Sequence, residues 1–272
     1  MNESGWSGGS FGSIGTCVLA PNAGSMTLDG TNTWVLRDPD STRSIVVDPG
    51  PSIASHLDAI DASAGDVAVV LLTHRHADHS EAAREYAERH GCGVRALDPA
   101  HRLGSEGLGE GDVVTAGDLE VHVVATPGHT ADSLSFVVPR DRAVLTGDTV
   151  LGRGTTVVAH PDGQLGAYLS SLERLRALCG SQGITTVWPG HGPVIDDALG
   201  ALDFYLAHRK QRLDQVREAL RNLHAIAREG GDFPHETLPR AIVEIVYADV
   251  DPVLWGAAEL SVRAQLAYLT DH

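Results

Sequence analysis

Short runs of β-branched and other apolar residues recur along the first two thirds of the chain and predict strands. Most of the runs are bounded by Gly, Pro, Asp or Asn, which commonly stand where strands end. They cover residues 16–20, 32–36, 43–47, 67–72, 119–125, 133–138, 143–146 and 185–188. The strands come in groups and alternate only in part with helices, which favours two sheets covered by helices over a simple parallel sheet.

Helical spacing occurs in two stretches between these strands. Residues 78–90 begin with Asp78, which is followed three residues later by Glu81 as in a capped N-terminus, and they end at Gly91. Leucines at positions 165, 169, 172 and 175 form one helical face before Gly180. We therefore predict helices that lie outside the sheets.

The pattern changes after Pro193, and no strand is predicted beyond it. Apolar residues at 199, 202, 206, 213, 216, 220, 223 and 227 step by threes and fours with one gap at Arg209, which predicts a helix of about thirty residues. Two further helical stretches follow at about 236–247 and 252–269. We divide the chain into a flexible Gly- and Ser-rich leader at 1–15, a main domain at 16–197 and a helical domain at 198–272.

Composition restricts the partners of the protein. The 272 residues include 20 Lys and Arg against 36 Asp and Glu, and a formal net charge of −16 repels nucleic acid and anionic membranes unless a local patch or bound cations reverse the field. No apolar run approaches the roughly 18 residues of a membrane span, and the N-terminus lacks the features of an export signal. Three scattered cysteines without a C-x-x-C motif favour a reducing compartment, so we expect a cytoplasmic location.

Histidine is unusually frequent, with 14 residues, and several histidines stand where strands are predicted to end. The stretch L-L-T-H-R-H-A-D-H at 71–79 follows an apolar strand and opens a helix, so His74 and His76 can reach one cation while Asp78 and His79 turn toward a second point. Three later predicted strands are followed by a polar residue beside glycine or on a short turn, namely His129, Asp148 and His191. Imidazole and carboxylate groups at this density suit zinc, manganese or iron.

This motif set resembles that of the metallo-β-lactamase superfamily of hydrolases over about residues 16–193. Within the superfamily, the segment 26–34, the P-G-H-G-P turn around His191 and the helical tail are most similar to the β-lactamase-like protein 2 group, which includes an endoribonuclease. The resemblance implies an α+β fold, a four-layer αβ/βα sandwich of two mixed sheets with helices outside. It also implies a C-terminal, winged-helix-like helical appendage that closes over the site.

The resemblance further implies a dinuclear metal site with a bridging hydroxide as nucleophile. In that arrangement His74, His76 and His129 hold the first metal, Asp78, His79 and His191 hold the second, and Asp148 bridges them. Asp78 and Asp148 are then the catalytic carboxylates, and the cofactors are two divalent ions, Zn²⁺ with Mn²⁺ or Fe²⁺ as alternatives. Asp48 is placed to orient a ligand histidine. Glu81 stands where the family usually has glycine, which leaves occupancy of the second site open.

Phosphodiester hydrolysis on single-stranded RNA is the first functional hypothesis. Thioester or ester hydrolysis of the glyoxalase II type is the alternative, although Gly192 and Pro193 follow His191 where glyoxalase II places a tyrosine. A mononuclear iron persulfide dioxygenase is an alternative of another class. The expected partner is a small-molecule or single-stranded RNA substrate, with no role for duplex DNA or a membrane, and the sequence does not assign an oligomeric state.

Basic residues on the predicted long helix are candidates for substrate binding. Arg209 fills the gap in the apolar seam, either as a snorkelling side chain or as a guanidinium directed at a substrate phosphate or carboxylate, with His208 and Arg212 beside it. A second stripe consists of Lys210, Arg217, Arg221 and Arg228. It is interpreted first as a solvated helix face and second as a track for RNA phosphates.

Overall fold

A six-stranded sheet forms one half of the main domain. The computed structural model describes residues 5–228 and 237–271, with only the backbone described for 226–228. The sheet has the spatial order β1-β2-β3-β4-β5-β6, formed by Gly9–Phe11, Gly15–Leu19, Asn32–Arg37, Arg43–Val47, Asp66–Leu71 and Gly93–Arg95. Strands β1 to β4 pair antiparallel, whereas β5 and β6 continue the sheet in parallel with β4. The sheet is therefore mixed.

A five-stranded sheet forms the other half. Its strands are β7 (Val113–Ala116), β8 (Leu119–Ala125), β9 (Leu134–Val138), β10 (Ala143–Gly147) and β11 (Thr186–Pro189), in the spatial order β11-β10-β9-β8-β7. Strand β8 shows why these segments are extended, because Leu119, Val121 and Val123 are buried while Glu120 is exposed. Strands β7 to β10 pair antiparallel, and β11 lies parallel to β10.

The main core lies between the two sheets. Leu36 and Ile45 of the first sheet and Phe136 and Leu145 of the second are buried in it. At one end of this core the rings of Trp34 and Trp188 stack with their centroids 4.8 Å apart and their planes 7° apart. This contact joins β3 to β11 and fixes one sheet against the other.

Helices cover the outer face of each sheet. On the first sheet lie α1 (Ala54–Ala64), α2 (Ala77–Ser80) and α3 (Ala83–His90), with Leu57, Ile60 and Tyr86 packed against the strands. On the second sheet lie α4 (Leu165–Gln182) and the start of α5 (Ala198–Arg228), with Leu172 and Leu202 in their shared core. The layers are thus helix, sheet, sheet and helix, which confirms the predicted αβ/βα sandwich.

The C-terminal region is helical throughout its described part. The later turns of α5 pack against α6 (Leu238–Val246) and α7 (Trp255–Asp271) through a separate apolar cluster that includes Val216, Ile242 and Val262. Helix α5 begins at the predicted domain boundary, but its first turns, with Leu202 and Tyr205, share a core with α4. No helix in the described ranges is both long and apolar enough to span a bilayer.

Two expectations from the sequence are wrong. Residues 9–15 do not belong to a flexible leader, because Gly9–Phe11 pairs with β2, Ile14 is buried and the indole of Trp6 donates a hydrogen bond of 2.7 Å to Asn32 Oδ1. Residues 78–90 form two helices instead of one capped helix. The N-cap of α2 is His76, without a side-chain hydrogen bond, and Glu81 accepts a hydrogen bond from the backbone N–H of Ser52 at 3.1 Å.

The sequence also left some elements unpredicted. Strands β1, β6 and β7 have only three or four residues each, and α1 is rich in alanine and aspartate. The predicted stretch at 236–247 corresponds to α6, although Glu236 lies outside the described residues. The stretch at 252–269 corresponds to a short 3₁₀ turn followed by α7.

Candidate metal centre

Several strands deliver polar side chains to one edge of the sandwich. Asp48 follows β4, His74 and His76 follow β5, His129 follows β8, Asp148 follows β10 and His191 follows β11. Each of these strands is held by its apolar residues in the two layers of the sandwich, so the polar residue that follows is placed at the rim. The rim therefore gathers residues that are far apart in the chain.

One half of the cluster contains three histidines. His76 Nδ1 lies 3.1 Å from His74 Nε2 and 3.0 Å from His129 Nε2. Asp148 Oδ2 lies 3.7 Å from His129 Nε2, and the ligand-type atoms of these four residues all lie within 4.8 Å of one another. This spacing suits one cation with three nitrogen ligands and one oxygen ligand.

The other half contains Asp78, His79 and His191. The two Nε2 atoms of His79 and His191 are 3.2 Å apart, and Asp78 Oδ2 lies 3.4 Å and 3.2 Å from them, respectively. Asp148 reaches this half as well, with Oδ1 3.4 Å from His79 Nε2 and Oδ2 3.4 Å from His191 Nε2. Asp148 thus contacts both halves.

Hydrogen bonds outside the cluster fix the orientation of its histidines. Nδ1 of His79 donates to Asp48 Oδ2 at 2.9 Å, Nδ1 of His129 to the Val157 carbonyl at 2.8 Å, and Nδ1 of His191 to the Gly30 carbonyl at 3.0 Å. Because carbonyl and carboxylate oxygens only accept, Nδ1 carries the proton, and in the neutral ring the Nε2 lone pair faces the cluster. The Nε2 atoms of His79 and His191 lie 3.2 Å apart, a distance that calls for a proton or a metal ion between them.

Asp48 is itself rigidly held. Its carboxylate accepts hydrogen bonds from the Thr73 backbone N–H at 2.8 Å and the Thr73 hydroxyl at 2.6 Å. Its backbone has φ +51°, a left-handed conformation that costs energy for a residue other than glycine. The contact predicted between Asp48 and a histidine of the cluster is confirmed, and His79 is that histidine.

Electrostatics favours ionised carboxylates in the cluster. Burial opposes ionisation of Asp78, but hydrogen bonds from His191 and His79 outweigh it and hold the pKa of this carboxyl well below its usual range. Burial likewise opposes ionisation of Asp148, and the positive charge of the neighbouring His191 and His79 lowers its pKa well below the usual value. Ionised carboxylates are the form that binds metals.

The histidines differ between the two halves. Burial lowers the pKa of His74 and, with the neighbouring His129, lowers the pKa of His76 to about 4, so both rings are neutral near pH 7. Burial also disfavours the charged form of His191, but Asp148 and Asp78 overcome it and raise its pKa to about 9. The second half therefore attracts positive charge, either a proton or a metal ion, and the donor set fits metal binding.

Comparison with known proteins identifies the family. Residues 26–181 match the model of the metallo-β-lactamase superfamily, and residues 239–271 match the model of the β-lactamase associated winged helix domain. The chain belongs to the metallo-β-lactamase superfamily. It is 30% identical to the "Beta-lactamase-like protein 2 homolog" of Drosophila melanogaster, over 93% of this chain and 86% of that protein.

Other relatives show the breadth of this superfamily. The chain is 30% identical to the "Atrochrysone carboxyl ACP thioesterase" of Aspergillus fumigatus, over 85% of this chain and 72% of that protein. A β-lactamase domain protein from Burkholderia ambifaria shares the fold, with a TM-score of 0.76, 24% identity and coverage of 96% and 88% of the two chains. The protein is therefore a metallo-β-lactamase superfamily hydrolase with a His/Asp cluster able to hold metal ions.

A cavity of about 350 Å³ opens beside the cluster of this superfamily member. His129 and Asp148 form one part of its wall, and the C-terminal helices close over it. The three residues predicted to bind substrate, His208, Arg209 and Arg212, all line it. Apolar side chains supply much of the remaining wall: Met26, Leu28, Leu151, Val157, Tyr247, Val250 and Leu254.

The second basic stripe lies elsewhere on α5. Lys210, Arg217 and Arg221 line a shallow depression on the helix surface that shares no lining residue with the cavity, as far as the described residues show. The side chain of Arg228 lies outside the described residues. Arg217 is paired with Asp214 at 2.5 Å, as a solvated helix face would be.

Sequence reasoning missed the residues that support the cluster from behind. Asn32 Nδ2 donates to the carbonyls of Pro189 and Gly192 at 2.9 and 2.8 Å, which fixes the turn that carries His191. Thr31 Oγ1 lies 3.4 Å from Asp78 Oδ2. Their position inside the family-like segment 26–34 was a usable signal. The sequence carried no signal for the carbonyls of Gly30 and Val157 as hydrogen-bond acceptors, because every residue has a backbone carbonyl.

Proposed function

We propose that this superfamily hydrolase cleaves acyl thioesters or related esters in a site that binds two divalent cations. The observation that carries the proposal is the apolar wall of the cavity beside His129 and Asp148. A cavity of about 350 Å³ with apolar side chains on several sides accommodates a short- or medium-chain acyl group. The printed name of the Aspergillus fumigatus relative, an acyl-carrier-protein thioesterase, supports the same substrate class.

The residues of the cluster have separate tasks in this proposal. His74, His76 and His129 would hold one cation, Asp78, His79 and His191 the other, and Asp148 both. Two such cations, when bound, lower the pKa of a water molecule and neutralise negative charge that develops on the substrate carbonyl oxygen. Asp148 Oδ1, which is buried and makes no hydrogen bond to any described side chain or backbone group, fits a role as a bridging ligand.

The remaining residues position the acyl group and exclude water. Leu28 and Leu151 lie on the side of the main domain, and Val250 and Leu254 come from the C-terminal region, so an acyl chain would be enclosed between the two parts. Desolvation of the carbonyl strengthens every polar interaction made with it. Asp48 keeps His79 in a fixed orientation, which preserves the geometry of the second half during turnover.

Phosphodiester hydrolysis on single-stranded RNA is a second candidate. It is favoured by the similarity to proteins named beta-lactamase-like protein 2 homolog and by the arginines at the cavity. Against it, the exposed basic stripe of α5 does not continue into the cavity. Among the described residues of the wall, Tyr247 is the one Phe, Tyr or Trp on which a base could stack, beside the imidazoles of His129 and His208. The alternative of chemistry at a single iron ion does not need a second set of ligands. The presence of all three residues of the second half, Asp78, His79 and His191, therefore favours hydrolysis with two cations.

Three substrates offered side by side to Zn²⁺- or Mn²⁺-loaded protein test the proposal. They are a medium-chain acyl thioester of N-acetylcysteamine, bis-p-nitrophenyl phosphate and an end-labelled single-stranded RNA. We expect the thioester to have the highest kcat/KM. RNA cleavage without thioester turnover would reverse the ranking of the two candidates.

A variant of the cavity wall makes this test specific to the site. Leu254→Ala removes apolar contacts, so KM for an octanoyl thioester should rise several-fold while KM for an acetyl thioester changes little. Leu199→Ala is the matched control, because Leu199 lies on α5 and is 39% exposed outside the cavity. Equal KM values for the octanoyl thioester in Leu254→Ala and wild type would argue against acyl binding in this cavity.

A further inference from the structure

The cavity has a charge balance opposite to that of the whole chain. The protein has 36 acidic and 20 basic residues, yet the described residues of the cavity wall include Arg153, Arg209 and Arg212 against one carboxylate, Asp148. Asp148 faces the histidine cluster and is engaged there. A cation bound in the cluster would add to the positive charge, so the cavity attracts an anion.

Arg209 is the least compensated of these charges. Only 5% of the residue is exposed, its guanidinium lies 5.0 Å from the centroid of the Tyr168 ring, and one Nη2–H donates to the Thr156 carbonyl. Its Nε is buried without a hydrogen-bond partner in the part of the chain that the structure describes. Within that part no carboxylate forms an ion pair with Arg209, whereas Arg153 has Asp29 and Arg212 has the exposed Asp249 at 3.8 Å.

His208 and Arg212 add donors beside Arg209. Arg212 is held by the Val246 carbonyl at 2.6 Å and by the Tyr247 ring, whose centroid lies 4.8 Å away. The ring of His208 has a buried Nδ1 that lacks a partner among the described residues. Burial and the two neighbouring arginine charges lower the pKa of His208 to about 4, so the ring is neutral near pH 7 and repels neither arginine.

Burying a guanidinium without a counter-ion is costly, and the cost is recovered when an anion with matching geometry binds. A carboxylate matches the planar fork of arginine. Because the arginines share a cavity of about 350 Å³ with His129 and Asp148, one small molecule can carry both the anion and the bond to be cleaved.

We propose that Arg209, Arg212 and His208 form a subsite for a carboxylate at the far end of the acyl group, so that the preferred substrate is a half-thioester of a dicarboxylic acid. This inference rests on the proposed thioester hydrolysis. It assigns the specificity of that reaction to α5.

Ligand binding tests the subsite independently of turnover. Glutarate and pentanoate have the same number of carbons, and both can offer one carboxylate to the metal centre, but only glutarate has a second one for Arg209. In isothermal titration of metal-loaded protein we expect glutarate to bind at least about tenfold more tightly than pentanoate. Arg209→Gln should abolish that preference and leave pentanoate binding intact, which also shows that the variant is folded.

Matched variants separate the subsite from general charge effects. Arg217→Gln removes an exposed arginine of the same helix outside the cavity and should preserve the preference for glutarate. Arg212→Gln, as a second change in the subsite, should reduce it. An equal preference in wild type and Arg209→Gln overturns the proposal. The proposal is also overturned if binding of inorganic phosphate depends on Arg209 while binding of glutarate does not, because the subsite would then serve phosphate.

Hydrolysis of two thioesters completes the test. Glutaryl and pentanoyl thioesters of N-acetylcysteamine contain no phosphate, so a difference between them reports the acyl carboxylate alone. We expect kcat/KM to favour the glutaryl compound in wild type and to lose that preference in Arg209→Gln. If neither thioester is cleaved while glutarate binding still depends on Arg209, the proposed reaction fails and the anion subsite stands.

Discussion

The metal centre depends on how each imidazole is turned, because a ring binds a metal ion only through a nitrogen whose lone pair faces the cluster. The spacing of His74, His76, Asp78 and His79, and the strand-end positions of the other three residues, were readable in the sequence. The partners that turn Nε2 of His129 and His191 inward are backbone carbonyls. These partners become visible only when distant segments of the chain are folded together.

His56 offers a test of the packing behind the centre. The residue is 2% exposed, and its Nε2 lies 2.9 Å from the hydroxyl of Thr33, which donates to the Asp48 carbonyl at 2.6 Å. Burial lowers the pKa of His56 to about 4. The unfolded chain, with an ordinary histidine pKa near 6.5, takes up a proton before the folded protein does, so stability falls as pH decreases from about 6.5 toward 4.

His56→Gln should therefore lose less stability than wild type between pH 7 and pH 5, by about 2 kcal/mol in the free energy of unfolding. Urea denaturation at the two pH values measures this difference. His122→Gln is the control, because the His122 side chain is 40% exposed. Parallel pH dependence of wild type and His56→Gln would show that His56 is not kept neutral by burial.

Secondary-structure elements were predicted where they are long and strongly patterned. Helix α5 was found from its apolar steps, and Arg209 was correctly singled out as the interruption. The break between α2 and α3 at Glu81 and Ala82 was not predicted, because the spacing of Asp78 and Glu81 resembles the capping pattern of a single helix. In the folded protein Asp78 instead faces the histidine cluster.

Gly190, directly after β11, leaves room for the side chains of the cluster. A Cβ on Gly190 would lie 2.6 Å from Asp148 Oδ1 and 2.9 Å from His79 Cε1. Gly190→Ala should therefore displace both side chains and weaken metal binding at least about tenfold, measured by competition with a chelator. Gly180→Ala is the matched control, because no atom lies within 4 Å of the added Cβ, and it should bind metal normally and be slightly more stable. Normal affinity in Gly190→Ala would show that the cluster tolerates movement.

In the whole molecule, the cavity beside the His/Asp cluster depends on two cores. The main sandwich supplies the cluster, while α5 and the C-terminal helices supply the opposite wall, including Arg209, Val250 and Ala258. The family resemblance predicted a helical appendage over the site. Which face it presents depends on how α5 packs against both α4 and α6, and this packing involves contacts between residues remote in sequence.

The most direct test of the central claim is the metal content of the purified protein and of Asp148→Ala, measured by plasma mass spectrometry after Zn²⁺ loading and desalting. If the seven side chains act together, wild type should retain about two ions per chain, and Asp148→Ala should retain fewer and lose hydrolysis while keeping a folded circular dichroism spectrum. Asp118→Ala, at an exposed turn, should behave as wild type. A wild-type protein without stoichiometric metal, or an Asp148→Ala variant with full metal content and turnover, would contradict the account.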